Sequence, residues 1–478
     1  MRRLVTAPRT WLVAALVVAA VVAGLVGADA TWAGSPEAGD APPARKPQPH
    51  GGPAAPPPAP RLVGPSPSAS ARLGGPRRDV PAPHPAAWLI PDSELVNAPT
   101  TAGFDVRAFV SSYPGYLKNF SQEVEGQPRD GIELIEMIAH RYSVNPRLLL
   151  ALLEWKGGWL TATDIPEHEQ VYPFGFEMWW AKGFYKQMEW VANYLNAGFY
   201  SCAERGYCET WFQDGVRRPG RPEGLNSGTA GLSHFLARMV KQDEWDALRA
   251  PDGDFMQTYH RLFGDPWQRA YDGPLVPEGL TQPPMKLPWS PGETWWYTGA
   301  PHGSWGPGSA WGGIDFGPGD APGTSERRQT GCFDATEYWV RATVPGLVAV
   351  SSYGEVIQDL DGDGDVRTGW ILIYNHVAAQ DRAEQGRWLE AGDAIGHPSC
   401  EGGWASGTHL HLARRYNGVW ISAIGPDSVP FTISGWQAHS SGVEYQGTLT
   451  RDDAPTRRAV PWRVNGQNDM ESDNWPSR

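Results

Sequence analysis

The feature that most limits what this chain can fold into is a change of texture near residues 275–290. Before it, apolar residues recur at helix spacing: Ile132, Leu134, Ile135, Ile138 and Ala139 fall on one stripe. Asn145 before Pro146 supplies an N-cap and the favoured first-turn proline for a helix through Glu154. Met178–Leu195 and Thr229–Val240 read as further amphipathic helices. After the change, Gly and Pro punctuate short runs rich in Val, Ile, Trp and Tyr, as in Tyr338–Thr343, Gly346–Ser351 and Trp370–Tyr374. Short strands between turns predict an antiparallel sheet. At 478 residues two or three domains are expected, with a boundary between Gly273-Pro274 and Pro283-Pro284.

The N-terminus has Arg2 and Arg3, an apolar run from Trp11 to Gly27, and then Ala28-Asp29-Ala30. That is the order of a secretory signal. The run is slightly short for a bilayer span, so membrane contact is expected only if the segment stays uncleaved as an anchor. In both cases the rest of the chain is exported. From Ser35 to Pro91 the chain is dominated by Pro, Ala, Gly and Arg. It lacks the apolar surface to offset chain entropy and reads as a disordered or polyproline tether. At about 3.1 Å per residue it would reach roughly 170 Å. The fold class is therefore multidomain α + β. A signal or anchor occupies 1–30, a linker 31–98, a helical accessory domain 99–280 and an antiparallel β-sheet domain 285–440. A tail over 441–478 carries one strand-like run, Glu444–Leu449, before fraying into polar residues.

A formal charge of −13 argues against a nucleic-acid partner, which needs a basic face. The 24 tryptophans serve either packing or stacking on sugar rings. Four cysteines suit an oxidising exterior. Cys202 and Cys208 are spaced to close a small loop, whereas Cys332 and Cys400 are distant in sequence. Of the three connectivities, local pairing is expected. No C-x-x-C occurs, so a cysteine zinc site is disfavoured.

Within the β-rich region, Gly407-Thr408-His409-Leu410-His411-Leu412 reads as a short strand. Residues i and i+2 of a strand share a face, so His409 and His411 can enter one site. Trp311-Gly312-Gly313-Ile314-Asp315-Phe316 lies upstream, with His302 thirteen positions before Asp315. His376 stands in Ile373-Tyr374-Asn375-His376-Val377. Imidazoles and a carboxylate ligate first-row divalent metals, and three protein ligands with an open fourth position is the catalytic zinc pattern. A lone histidine is ordinarily a plain polar residue; the combination is the signal.

With those segments, Glu390-Ala391-Gly392-Asp393-Ala394-Ile395-Gly396-His397 and Val344-Pro345-Gly346-Leu347-Val348 make the region from Pro288 to Phe431 resemble the lysostaphin and beta-lytic type of zinc endopeptidase, the LytM-like β-sheet peptidases. The resemblance implies cleavage of peptide stems and cross-bridges in bacterial peptidoglycan. It implies zinc held by His302, Asp315 and His411, with His376 and His409 as unliganded catalytic histidines. The gap between His302 and Asp315 is longer than in many members and resembles the beta-lytic branch; its Gly-rich filler reads as free to loop out. His50 and His84 fall in the tether.

Two other signals compete. Asp359-Leu360-Asp361-Gly362-Asp363-Gly364-Asp365 resembles the start of a calcium loop, but Trp370 stands where a bidentate Glu belongs. A polar turn is the favoured reading and a loose calcium site the alternative. Asn145 through Glu154, with Gly158-Trp159, resembles the lysozyme-like transglycosylases. Their acid falls here on Lys156 and their serine on Gly157. A lysine cannot protonate a glycosidic oxygen as a raised-pKa carboxylic acid does. The domain is therefore expected to be degenerate, gripping glycan or supporting the peptidase, with Glu154, Glu177 and Glu189 as ordinary helix residues. The reading that results is an exported zinc endopeptidase acting on the cell wall. The alternatives are a glycan-cleaving enzyme and a non-catalytic envelope regulator.

Overall fold

Asp130 accepts from the Glu133 N–H and Glu133 returns a bond to the Asp130 N–H, a reciprocal cap that starts α1, Gly131–Tyr142. Asn145 caps α2, Pro146–Gly157, with the proline in its first turn. Then come α3, Phe184–Glu204, α4, Ser227–Ala237, and α5, Asp254–Phe263. These positions come from a computed structural model describing residues 84–472, apart from 205–208, 221–223, 320–330, 334, 426–428, 462 and 465, and the side chains of 201–204. The signal segment and most of the tether lie outside the described residues.

The β-rich part is built on a nine-stranded antiparallel sheet. Its strands are β1 Thr294–His302, β2 Gly313–Gly317, β3 Gly346–Ser352, β4 Glu355–Asp359, β5 Trp370–Asn375, β6 Trp388–Leu389, β7 Leu410–Tyr416, β8 Val419–Trp420 and β9 Asp469–Glu471. Their order is β6-β3-β4-β5-β7-β2-β1-β9, with β8 paired to β7. Strand alternation assigns the faces. Val356, Leu372, Tyr374, Leu412 and Ile314 share a core with Ile433, Trp436 and Leu449 of a small four-stranded sheet. Ile357, Ile371, Ile373 and Ala413, on the other face, join the core of the helical part. That second face also carries a row of facing residues across four strands: Asp315, His411, Asn375 and Glu355.

Helical and β-rich parts lie in a single compact unit from Pro81 onward. Ser143 Oγ donates to Gly418 O, Arg415 to His140 O at 2.9 Å, and Trp420 Nε1 to Tyr142 O at 3.2 Å. Burial pushes His140 down to about 4, with Arg415 and Arg141 adding to it and Glu355 opposing. The folded chain therefore binds fewer protons there than the unfolded chain between pH 6.5 and 4. Its stability contribution is complete above pH 6.5 and is lost as pH falls through that window. A drop of this size accounts for up to roughly 3 kcal/mol. Urea midpoints at pH 7 and pH 4.5 should differ less in His140→Gln than in wild type.

Several expectations change. The linker does not extend to residue 98: Leu89, Ile90, Leu95 and Val96 are buried in the helical core, and His84 stacks on Trp267 at 3.8 Å. The tail does not fray after Leu449. Thr448–Arg451 and Ala454–Arg458 pair in the small sheet, and β9 pairs with β1, placing Met470 opposite Trp295. Buried Leu449 and Met470 are single apolar anchors among polar residues, a pattern with too few apolar residues to stand out. In keeping with the local pairing expected, Cys332 and Cys400 form a disulfide across 68 residues. The side chains of Cys202 and Cys208 lie outside the described residues.

A buried cation ties β7 to the chain segments beside it. Arg414 is fully buried and donates to Gln282 Oε1 and to the carbonyls of Ser422, Val429 and Pro430. Arg414→Leu would strand those acceptors. We expect a loss of about 3–5 kcal/mol in guanidinium unfolding.

Candidate metal centre

His302 ends β1, Asp315 sits mid-β2 and His411 lies on β7 directly opposite Asp315. All three are buried, and each offers a ligand atom within 4.8 Å of the others. Gly313 makes the convergence possible. A Cβ there would stand 2.6 Å from His411 Cε1 and 2.9 Å from His302 Cε1, so a side chain would push the imidazoles apart.

The hydrogen bonds define which ring atoms are free. His411 Nε2 donates to the Ser304 carbonyl at 2.9 Å. A carbonyl only accepts, so the proton is on Nε2 and the Nδ1 lone pair faces Asp315 Oδ1 at 3.0 Å. His302 Nε2 lies 2.9 Å from the same oxygen without hydrogen-bond alignment, a buried nitrogen with no partner. Burial alone would raise the Asp315 pKa, yet the imidazoles of His302, His409 and His411 gathered around it hold it well below the usual range. Burial lowers the His302 pKa, but the Asp315 carboxylate outweighs it and the net shift is upward. A buried carboxylate meeting two imidazole nitrogens at one point is a donor set that fits a divalent cation.

His409 and His376 flank this cluster with rings 4.3 Å apart. His409 Nδ1 donates to Gly407 O at 2.7 Å, and His376 Nδ1 to Glu401 O at 3.0 Å. Both anchors leave Nε2 as an acceptor, and that of His409 lies 3.8 Å from Asp315 Oδ2. Where β5 ends, His376 adopts φ +64°, a left-handed conformation rare for a side-chain-bearing residue and pinned here by Ser399 N–H donating to His376 O. Burial and the neighbouring His409 and His411 hold His376 well below its ordinary pKa. Burial lowers His409 too, against the pull of Asp315. Both rings are therefore neutral bases near pH 7.

Sequence reasoning missed three groups here. Ser304 and Glu401 act through their carbonyls, which carry no residue-type signal. Tyr445, in the presumed tail, stacks on His302 at 4.3 Å and 15°. The segment between His302 and Asp315, expected to loop out, is instead folded and mostly buried. Ser304 N–H bonds Ala310 O, Trp305 N–H bonds Ser309 Oγ, and Gly312 N–H bonds Ala310 O.

The competing signals resolve locally. Asp359, Asp361 and Asp363 stand close together, but their oxygens accept from the N–H groups of Asp361, Gly364, Asp363 and Asp365. That is the chemistry of a polar turn. Burial and Asp359 push the Asp361 carboxyl up to about 6. Glu154 accepts from Leu160 N, Thr161 Oγ1 and Arg261 Nη2, closing the turn after α2.

Residues 88–277 match the family described as "LasA, N-terminal domain". The chain is 27% identical to Protease LasA of Pseudomonas aeruginosa strain UCBPP-PA14 over 325 residues, 64% of this chain and 71% of that protein, and equally so to its counterpart in strain PAO1. Among solved structures, the M23 metalloprotease pseudoalterin from the deep sea is 22% identical, covering 38% of this chain and 98% of that one, with a TM-score of 0.29. Lysostaphin of Staphylococcus simulans is 14% identical, covering 41% and 92%, with a TM-score of 0.21. The helical part thus finds its match in the LasA N-terminal domain, where the sequence had suggested a lysozyme-like one. The chain is related to Protease LasA, and the LytM-like resemblance read from its sequence is borne out.

Proposed function

We propose that this protein is an exported zinc-dependent endopeptidase that hydrolyses peptide cross-links of bacterial peptidoglycan. The observation that carries the reading is one arrangement of lone pairs. His302 Nε2 and His411 Nδ1 converge on Asp315, while His376 and His409 have their protons tied to carbonyls and their Nε2 atoms free. Relatedness to Protease LasA supports the peptidase class, and the LytM-like motifs of the sequence suggest the wall as substrate.

His302, Asp315 and His411 would hold the ion. Zinc in such a site polarises a carbonyl and brings the pKa of a water towards neutrality. His409 Nε2, nearest Asp315, takes the proton from water as general base. His376 presents a second acceptor, suited to orient the water through its other hydrogen. Once protonated, His409 can pass that proton to the departing amine. The LasA-type helical part is proposed as an accessory domain.

Digestion of purified sacculi followed by mass spectrometry tests the proposal. New amino termini in the peptide bridges are expected. Reducing or anhydro sugar ends with intact peptides would overturn it in favour of glycan cleavage. No change in sacculi, together with no metal in the purified protein, would favour a regulator.

A further inference from the structure

Regular pairing fails where β1 reaches the centre. The β1–β2 register slips between Tyr297 and Gly299 and again between Gly299 and His302. His302 thus ends a strand whose ladder has already broken, although a ligand ring has to be held to about 0.5 Å. Support comes from a segment far along the chain, residues 444–447. Gly447 N–H donates to Ala300 O, Tyr445 N–H to Pro301 O at 3.1 Å, and Gly303 N–H to Glu444 Oε1 at 3.1 Å. Residues 300, 301 and 303 are strapped in succession, and only the last bond uses a side chain. The Tyr445 ring lies over His302, and a Cβ on Gly299 would stand 3.0 Å from Tyr445 Cδ1.

The four histidines differ in how they are held. His411, His376 and His409 each donate to a carbonyl, of Ser304, Glu401 and Gly407 respectively. His302 Nε2 has no such partner and faces the Asp315 oxygen. Its placement therefore falls to the ring packed on it and to the backbone beside it. Glu444 fixes that backbone at the next residue, and a charged acceptor binds an N–H more strongly than a neutral one. After burial and Asp315, the Glu444 carboxylate and the Gly303 backbone also favour positive charge at His302.

We propose that the 444–447 segment is a working piece of the metal centre: Glu444, through the Gly303 N–H, positions the ligand His302. Glu444 is a positioning residue and does not touch the ion. The inference rests on the zinc reading above and adds to it a residue from the C-terminal stretch.

The test is zinc affinity in the full chain, measured by competition with a chromophoric chelator, with the visible spectrum of the cobalt(II)-substituted protein as a second readout. Glu444→Ala should weaken zinc roughly 10–100-fold, the loss typical when an outer partner of a metal ligand is removed, and should alter the cobalt spectrum. Glu444→Gln keeps a carbonyl acceptor for Gly303 N–H. It should return affinity to within roughly fivefold of wild type, the most that a solvent-screened charge contributes, and restore the spectrum. Val443→Ala changes the exposed side chain just before the segment and should leave metal binding unchanged. Should Glu444→Ala fail to fold, Glu444→Asp decides. It keeps the charge but is one methylene short of Gly303, and should bind zinc more weakly than Glu444→Gln; the reverse order would overturn the inference. Wild-type affinity and spectrum in Glu444→Ala would overturn it too, as would a Glu444→Gln variant as weak as Glu444→Ala, or equal weakening in Val443→Ala. A wild-type protein that takes up no zinc would instead sink the metal reading itself.

Discussion

His411→Ala is expected to lose zinc and activity together, whereas His409→Ala keeps zinc and loses turnover. The two rings are two residues apart on one strand face, yet their hydrogen bonds give them opposite roles. His411 has Nε2 tied to Ser304 O and directs Nδ1 at Asp315; removing it takes one of three donors from a buried site. His409 is anchored through Nδ1 and offers only Nε2. Its removal leaves the donor set intact and costs the proton transfer, about 10²–10⁴-fold in kcat. Metal content of the purified variants and turnover on cross-linked muropeptides separate the cases. Normal zinc in both variants would mean that the ligands are assigned wrongly.

Removal of the Cys332–Cys400 disulfide has a large expected effect on stability. It closes a loop across 68 residues, for which chain entropy predicts about 4 kcal/mol. The loss should also reach catalysis. Cys400 lies between Ser399, whose N–H holds the His376 carbonyl, and Glu401, whose carbonyl holds His376 Nδ1. The Cys332→Ser/Cys400→Ser double variant should unfold at lower guanidinium concentration and turn over more slowly even where it is fully folded. An unchanged midpoint would refute the stabilising role, and an unchanged kcat the coupling to His376.

The parts of the fold that were legible in the sequence are those with short-range causes. The Asn145-Pro146 start of α2 and the α1 stripe follow from local capping and period, and the alternation of Leu410 and Leu412 with His409 and His411 shows in the strand itself. The candidate site residues were proposed by type, because imidazoles and carboxylates announce their chemistry. Their partners were not. Ser304 and Glu401 work through backbone oxygens, and the bond from Gly308 N–H to Asn193 Oδ1 joins residues over a hundred positions apart. Tyr445 and β9 were hidden because isolated apolar residues in a polar tail lack any periodicity. The Gly-rich loop misled for a physical reason: its glycines permit close approach by α3, and flexibility was inferred from the same residues.

The pairing of β9 with β1 has a consequence for the order of assembly. His302 and Asp315 leave the ribosome early, but His411 follows Asp315 by 96 residues, and the strand that covers the outer edge of β1 comes only at Asp469–Glu471. Contacts this distant in the chain form slowly, since a long loop must close before they are made. The centre cannot be completed before His411 has been made. Until then the chain carries its ligands as separate, inert pieces.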